Sequence, residues 1–502
     1  MNQQLAQDRH GLKRELGVWS AAAIVVGTVI GSGIFLVPST MIRNVGSPLK
    51  VFIVWIAGGL LSLFGALSYA ELAAAMPEAG GEYVYLREAY GPIWAFLYGW
   101  TQTWVAKSGS IATLATGFFI YLANFRPELG QVWIVTPLPL GEGGSPLEIR
   151  YGQLLAIGVI ALLALINYFG VRVGGDVQVA TTVLKVGLIA AIIVIGLGSH
   201  LGSTANYHSA VSAPGGILGF FAALVGALWA YDGWNNVTMV ASEVRRPQRN
   251  LPLALILGTL AVITIYLLTN LAYFYVLPAA TVASTDRVAA EMMRRILGAP
   301  GAAAVSIAAM ISIFAALNGS ILSGSRVPFA MARDGLFFHS VARIHPTHRT
   351  PSVSILLLSA WASLLVLSGR YDQLYTYVIF ASAILYGMAT ASVIVLRIRR
   401  PGMPRPYRTL GYPVVPIAFV LGIACLIAST LRSSPRESML GLFLIALGLT
   451  FYFYWKKRPS ACPPSVACGG VKSMPSEPSG VVPNLSSAPQ ILFWLPNKIL
   501  EK

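Results

Sequence analysis

Apolar runs of about twenty residues recur along almost the whole chain, and this recurrence constrains the fold more than any motif does. Crossing about 30 Å of hydrocarbon takes about 20 apolar helical residues, and a helix satisfies its own backbone polar groups where no water can. Runs of that kind fall near residues 17–40, 50–75, 92–123, 152–168, 178–198, 216–240, 253–277, 301–330, 352–368, 374–397, 412–431 and 438–455. They predict an all-α membrane protein with 12 transmembrane helices. Composition agrees: 56% of the 502 residues are hydrophobic and 11% charged, against roughly 25% charged in soluble chains. A water-soluble fold is excluded.

The net charge of +16 is not gathered on a soluble domain, so nucleic acid is not the expected partner; membrane lipid is. Arg9, Lys13, Arg14, Arg245, Arg246, Arg249, Arg397, Arg399, Arg400, Lys456 and Lys457 fall in alternate loops on the side of the N-terminus, and the opposite loops hold fewer basic residues. The positive-inside rule then predicts a multi-pass protein of the cell membrane with both termini cytoplasmic, although Arg287, Arg294 and Arg295 run against it. Residues 1–16 read as a cytoplasmic segment before an uncleaved first helix, because no small-residue cleavage site follows that run. Residues 17–458 form the transmembrane domain, and 459–502, rich in Pro, Ser and Gly, read as a disordered cytoplasmic tail. Residues 279–300 read as an external amphipathic segment. Residues 399–412, basic and proline-rich, are expected to be flexible or extended near anionic lipid. Cys425, Cys462 and Cys468 have no disulfide or metal-ligand spacing, and neither metal nor cofactor is expected.

Two spans carry residues that resist a continuous helix. In the first, GTVIGSGIFLVP places Gly27, Gly31 and Gly33 at mid-depth. Gly27 and Gly31 form a GxxxG packing pattern, but Gly31-Ser32-Gly33 is denser than packing requires and predicts an interruption. Unwinding there exposes N–H groups at the start of an outer half-helix, which attract a carboxylate. The sixth span repeats the idea with AYDGWNN, where Asp232, Asn235 and Asn236 are costly at membrane depth. Interrupted helices at corresponding positions in two halves of a transporter point to its binding site. Spans 1–5 and 6–10 would be the halves, with 11 and 12 appended.

GTVIGSGIF in the first span, SYAELAAAMPEAGGEYVYLREAYG after the second, AYDGWNN in the sixth and NGSILSGSR in the eighth together resemble the amino acid-polyamine-organocation transporter superfamily, in particular its prokaryotic L-type amino acid transporter-like permeases. The resemblance covers residues 15–455 and implies a five-plus-five inverted-repeat fold of the LeuT type. It also implies roles by position. Backbone at Gly31, Ser32 and Gly33 would hold a substrate carboxylate, and carbonyls at Ala230, Tyr231 and Asp232 would accept from the α-amino group. Trp234 would be an aromatic gate or plain packing. Asp232 would contact a cationic group, titrate, or bind freed backbone. Asn318, with Ser320 and Ser323, would face the same cavity or tie helices together.

Lys185, in the fifth span, resembles a tethered cation standing where sodium-coupled relatives bind Na⁺; snorkelling to an interface and carrying a coupling proton are the alternatives. Lys107, in the third span, reads as a structural partner of a carbonyl or acid. Glu71, Glu82 and Arg87 read as an inner-gate or loop-fixing network that Glu243, beside Arg245 and Arg246, joins. The expected function is secondary active transport of neutral amino acids by alternating access, as sodium-independent exchange or proton-coupled uptake. Cationic amino acid or polyamine transport is the alternative, motivated by Asp232, and a transporter-like sensor is a third reading. No HExxH or GxSxG motif is present, so an enzyme is not expected.

Overall fold

The computed structural model describes residues 12–457 apart from 124, 137–146, 369–370 and 434; the expected N-terminal segment is therefore described only from Leu12, and the expected tail at 459–502 lies outside the described residues. Helices α1 (Val18–Val29) and α2 (Gly33–Val45) form the interrupted first span. They are followed by α3 (Pro48–Ala75), a short α4 (Glu82–Tyr90), and α5 (Pro92–Thr101), which runs through a π-helical turn at Gln102–Ala106 into α6 (Lys107–Leu122). Strands β1 (Val132–Thr136) and β2 (Leu147–Arg150) pair antiparallel, a hairpin that apolar periodicity did not foretell. Then come α7 (Tyr151–Tyr168), α8 (Val171–Leu197), α9 (Gly216–Tyr231) and the single turn α10 (Asn236–Met239). The chain continues through α11 (Pro247–Val276), α12 (Ala279–Ser284), α13 (Val288–Gly324), α14 (Arg326–Arg333), α15 (Ser352–Ser368), α16 (Tyr371–Arg399), α17 (Val414–Ser433) and α18 (Pro435–Lys456). Among the described residues ten helical stretches are long and apolar enough to cross a membrane, and shorter apolar helices occupy Gly216–Tyr231 and Ser352–Leu367, where the sixth and ninth runs fall.

Local chemistry explains the breaks. Ile30 leaves the helical region at φ −74°, ψ 90°, so α1 ends one residue before Gly31-Ser32-Gly33. In the sixth span Asp232 is extended and Gly233 has φ +108°, a conformation that glycine alone adopts without strain. Between them the two breaks bring backbones together: a Cβ built on Gly33 would stand 2.6 Å from both Cα and Cβ of Ala230.

Helix α8 shows how the bundle sorts its residues. Gln178, Thr182, Lys185, Ile189, Ile192 and Gly196, spaced by three and four, are all buried, whereas Val183 and Val194 are 68% and 70% exposed. Helical spacing of this kind makes one stripe. Here the stripe that carries Gln178, Thr182 and Lys185 faces protein and an apolar face is left for lipid, the inverse of a soluble amphipathic helix. Trp55, Tyr231 and Tyr266 pack edge-on or tilted, with centroids 5.1 to 5.6 Å apart, and wedge α3, α9 and α11 together beside the breaks.

Two surface expectations change. The 399–412 loop is not loose: Arg405 reaches Glu71 at 3.3 Å, Arg400 reaches Glu88 at 2.6 Å, and the Thr409 N–H donates to Glu71 at 2.7 Å. Its basic residues meet carboxylates of neighbouring segments, which neutralise them locally. The 279–300 segment forms α12 and the first turns of α13, up to a kink at Gly298 with φ +72° ahead of Pro300. There Arg294 and Arg295 both pair with Glu291, at 2.8 and 3.2 Å. The cluster that ran against the charge rule thus carries its own counter-charge.

Candidate substrate site

A small cavity lies at the two breaks, lined by Thr28, Val29, Gly31, Ser32, Gly33, Ser110, Leu114, Trp229, Asp232, Gly233, Asn236 and Ser320. One wall is the first turn of α2, whose leading N–H groups have no acceptor four residues back within the helix. The opposite wall is the end of α9, where the last carbonyls lack helical donors for the same reason. A zwitterion spanning the gap meets donors on one side and acceptors on the other.

Two hydroxyls hold the breaks in register. Thr28 Oγ1 lies 2.9 Å from Gly233 O, and Tyr266 Oη lies 3.0 Å from Val29 O and 2.7 Å from Ala230 O. Threonine and tyrosine in apolar spans carry no periodic signal of their own, so neither was singled out from sequence. The Ala230 carbonyl, expected to accept from substrate, already accepts from Tyr266. Tyr231 turns its hydroxyl away to Trp55 O at 3.2 Å.

Lys185 is fully buried and does not snorkel. Its Nζ donates to Gly27 O at 2.6 Å and Ile30 O at 2.5 Å, with Ser312 O at 3.4 Å. Ser312 Oγ donates in turn to Ile30 O at 3.0 Å. The ammonium therefore sits on carbonyls that the end of α1 leaves without helical partners, between the first and eighth spans. Gly27 makes room on the same side: a Cβ there would fall 2.4 Å from Thr182 Oγ1. Gly27 thus serves packing against α8, while Gly31 and Gly33 belong to the break.

Lys107, at the start of α6, is also buried and donates to Asn236 Oδ1 at 2.6 Å. Its partner is the carbonyl oxygen of a side-chain amide, one of the partner types expected. Asp232 lines the cavity, and its Oδ1 accepts from Tyr386 at 3.1 Å.

Two candidates face elsewhere. Asn318 donates to Gly174 O at 3.1 Å and Gln178 Oε1 at 2.8 Å, and accepts from Asn167 at 2.9 Å, so it ties α13 to α7 and α8. Ser320 lines the cavity instead, because two residues along a helix turn the side chain to roughly the opposite face. Trp234 is buried against Tyr69, Tyr386 and Phe419, with centroids 4.8 to 6.5 Å away. It borders a second chamber beyond Asp232 rather than the cavity, and the indole at the cavity wall is Trp229. The extended Asp232 and left-handed Gly233 rotate the chain between these tryptophans, a change of phase that a continuous helical wheel misses.

The expected single inner network is four separate clusters. Glu71 pairs with Arg397 at 2.7 Å and with Arg405. Arg87 pairs with Glu78, Glu88 and Asp334 at 2.9 to 3.1 Å. Glu82 accepts from Tyr98 at 2.9 Å and from Asn235. Glu243 does not pair with its sequence neighbours Arg245 and Arg246; it holds Arg326 through two bonds of 2.8 and 2.9 Å, both side chains fully buried. The short helical pieces after Gly233 turn Glu243 inward to α14, while Arg245 and Arg246 remain exposed.

An all-α membrane bundle whose first and sixth spans break around one cavity is the architecture of a solute transporter, not an enzyme. The chain belongs to the amino acid permease family, whose model matches residues 16–451. It is similar to the serine/threonine exchanger SteT of Bacillus subtilis, 34% identical over 90% of this chain and 99% of the relative. The human b(0,+)-type amino acid transporter 1 is 33% identical over 88% of each chain. The human cystine/glutamate transporter is 30% identical over 90% of this chain and 88% of the relative.

Proposed function

We propose that this amino acid permease exchanges neutral amino acids with small or medium side chains, without sodium, by alternating access of its two halves. The observation that carries the reading is the Lys185 ammonium, seated 2.5 to 2.6 Å from the carbonyls of Ile30 and Gly27. A tethered ammonium there supplies the charge that a bound Na⁺ would otherwise bring to the end of α1. The substrate carboxylate rests on the N-terminus of α2 at Gly31, Ser32 and Gly33, and the α-amino group meets the end of α9 and Asp232. Trp229 and Leu114 in the cavity wall, beside Ser110 and Ser320, favour short or medium apolar and hydroxylated side chains. The similarity to a serine/threonine exchanger supports the same class.

Asp232 supports a second reading, in which cationic amino acids or polyamines are carried. Against it, Lys107 lies close enough to Asp232 and Glu82 to interact electrostatically with both, offsetting negative charge at the cavity. Counterflow in proteoliposomes decides: labelled serine, alanine, leucine, arginine and putrescine are offered with and without internal substrate, Na⁺ and a pH gradient. Serine or alanine exchange that ignores Na⁺ is the expected result. A requirement for sodium overturns the Lys185 assignment, and uptake of arginine or putrescine alone overturns the substrate class. The orientation expected is both termini in the cytoplasm of the cell membrane, which cysteine labelling from either side tests.

A further inference from the structure

On the face opposite the N-terminus, Arg287, Arg294 and Arg295 stand against the charge bias of the rest of the chain, in a setting that the substrate cavity does not use. Glu291 accepts from Arg294 through both carboxylate oxygens at 2.8 Å and from Arg295 at 3.2 Å. The neighbouring Asp286 is taken by Arg43 at 3.3 Å. Among the described residues the Arg287 guanidinium has neither an ion pair nor a hydrogen bond. Three guanidiniums against the single carboxylate of Glu291 leave two positive charges uncompensated.

These charges border a cavity of about 420 Å³, within the size range of ligand pockets. Thr285, Arg287 and Arg294 form its polar end, and Phe125, just after α6, forms an apolar wall with Ala299, Ala302 and Ala303 of α13. The kink at Gly298 divides the turns that carry the arginines from the stretch that carries the alanines. Phe125 is exposed, as are Leu297 and Ile307 of α13, so the wall continues onto apolar surface of the kind that meets lipid.

We propose that this cavity binds the headgroup of an anionic phospholipid in the leaflet opposite the N-terminus, with its phosphate on Arg287 and Arg294 and an acyl chain along Phe125 and the alanines. A planar guanidinium matches phosphate oxygens two at a time, and it has more N–H donors than Glu291 takes up from Arg294. Basic pockets between transmembrane helices bind lipid headgroups by the same chemistry. A free amino acid fits the charges less well. Glu291, the one carboxylate among the residues lining the cavity, is already engaged by two arginines and leaves no seat for an ammonium group.

The test uses the full chain purified in detergent and titrated separately with phosphatidylglycerol, phosphatidylcholine and glycerol 3-phosphate, with bound molecules counted by native mass spectrometry. Phosphatidylglycerol is expected to bind about tenfold more tightly than phosphatidylcholine, whose headgroup carries no net charge. Arg287→Gln is expected to weaken phosphatidylglycerol binding about tenfold, whereas Arg432→Gln, an exposed arginine near the end of α17 on the same face, leaves it unchanged. Ala299→Trp, at an exposed position, fills the apolar wall with every arginine in place and is expected to displace the lipid. Equal binding of the two lipids, or wild-type affinity for phosphatidylglycerol in R287Q or A299W, overturns the proposal. Glycerol 3-phosphate binding as tightly as the lipid also overturns it, because the site would then take a free anion.

Discussion

The two buried lysines meet one physical problem in two ways. An ammonium taken from water must be fully hydrogen-bonded. Lys185 finds backbone carbonyls freed by the end of α1 and the eighth span; Lys107 finds a side-chain amide on the short turn α10, with Asp232 and Glu82 near by. Backbone acceptors have nowhere else to turn, so the break in the first span is held by a fixed cation. Beside the break in the sixth, Lys107 rests on a side chain, which has other rotamers open to it, while Thr28 and Tyr266 hold the Gly233 and Ala230 carbonyls. On this contrast the first-span break is expected to be the static platform and the turn at Asn236 the part that adapts.

Removing Lys185 is the strongest way to break that contrast. Each buried carbonyl left without a donor costs about 1–3 kcal/mol, so Lys185→Ala is expected to lower counterflow at least about tenfold, while Lys50→Ala, at an exposed site, leaves it unchanged. Wild-type turnover in K185A would remove the static platform altogether. Next in size is Gly33→Ala, which forces atoms to 2.6 Å from Ala230. Substrate binding measured by scintillation proximity is expected to be lost while the protein still inserts; loss of expression alone would make Gly33 a packing glycine.

Lys107→Met should be milder, because Asn236 can rotate to another donor. A severalfold rise in KM with kcat within about twofold is the expected pattern, and a loss as deep as that of K185A would erase the distinction between the two lysines. Tyr266→Phe removes one hydroxyl that lies between both breaks. A typical hydrogen bond contributes about 0.5–1.5 kcal/mol, so two- to tenfold weaker substrate binding is expected, and no change would show that Thr28 alone maintains the register.

Much of this was legible in sequence because lipid leaves few options. The apolar runs and both interruptions followed from what a bilayer tolerates, whereas snorkelling of Lys185 stayed open until its burial was seen. What escaped depended on the phase of one helix against another. Asn318 and Ser320 are equivalent as polar letters, and only packing against α7 and α8 turns one away from the cavity and the other toward it. Trp234 faces the second chamber, and the unforeseen Trp229 the cavity, because Gly233 resets the helical phase. Thr28, Tyr266 and Ser312 act through hydroxyls whose acceptors lie in remote segments, a relation that no local pattern encodes. Glu243 was assigned to the wrong cluster because proximity in the chain is a poor guide where a helix is broken into single turns.

The approach of Gly33 to Ala230 has a mechanical consequence. With only the Ala230 methyl at the contact, the second half of the first span and the last turn of α9 form a joint without slack. A tilt of either is passed to the other with no lost motion, like gear teeth in full mesh. Changes in the position of the sixth span are therefore felt at the carboxylate end of the cavity at once, and occlusion of the two ends of a substrate becomes one movement instead of two.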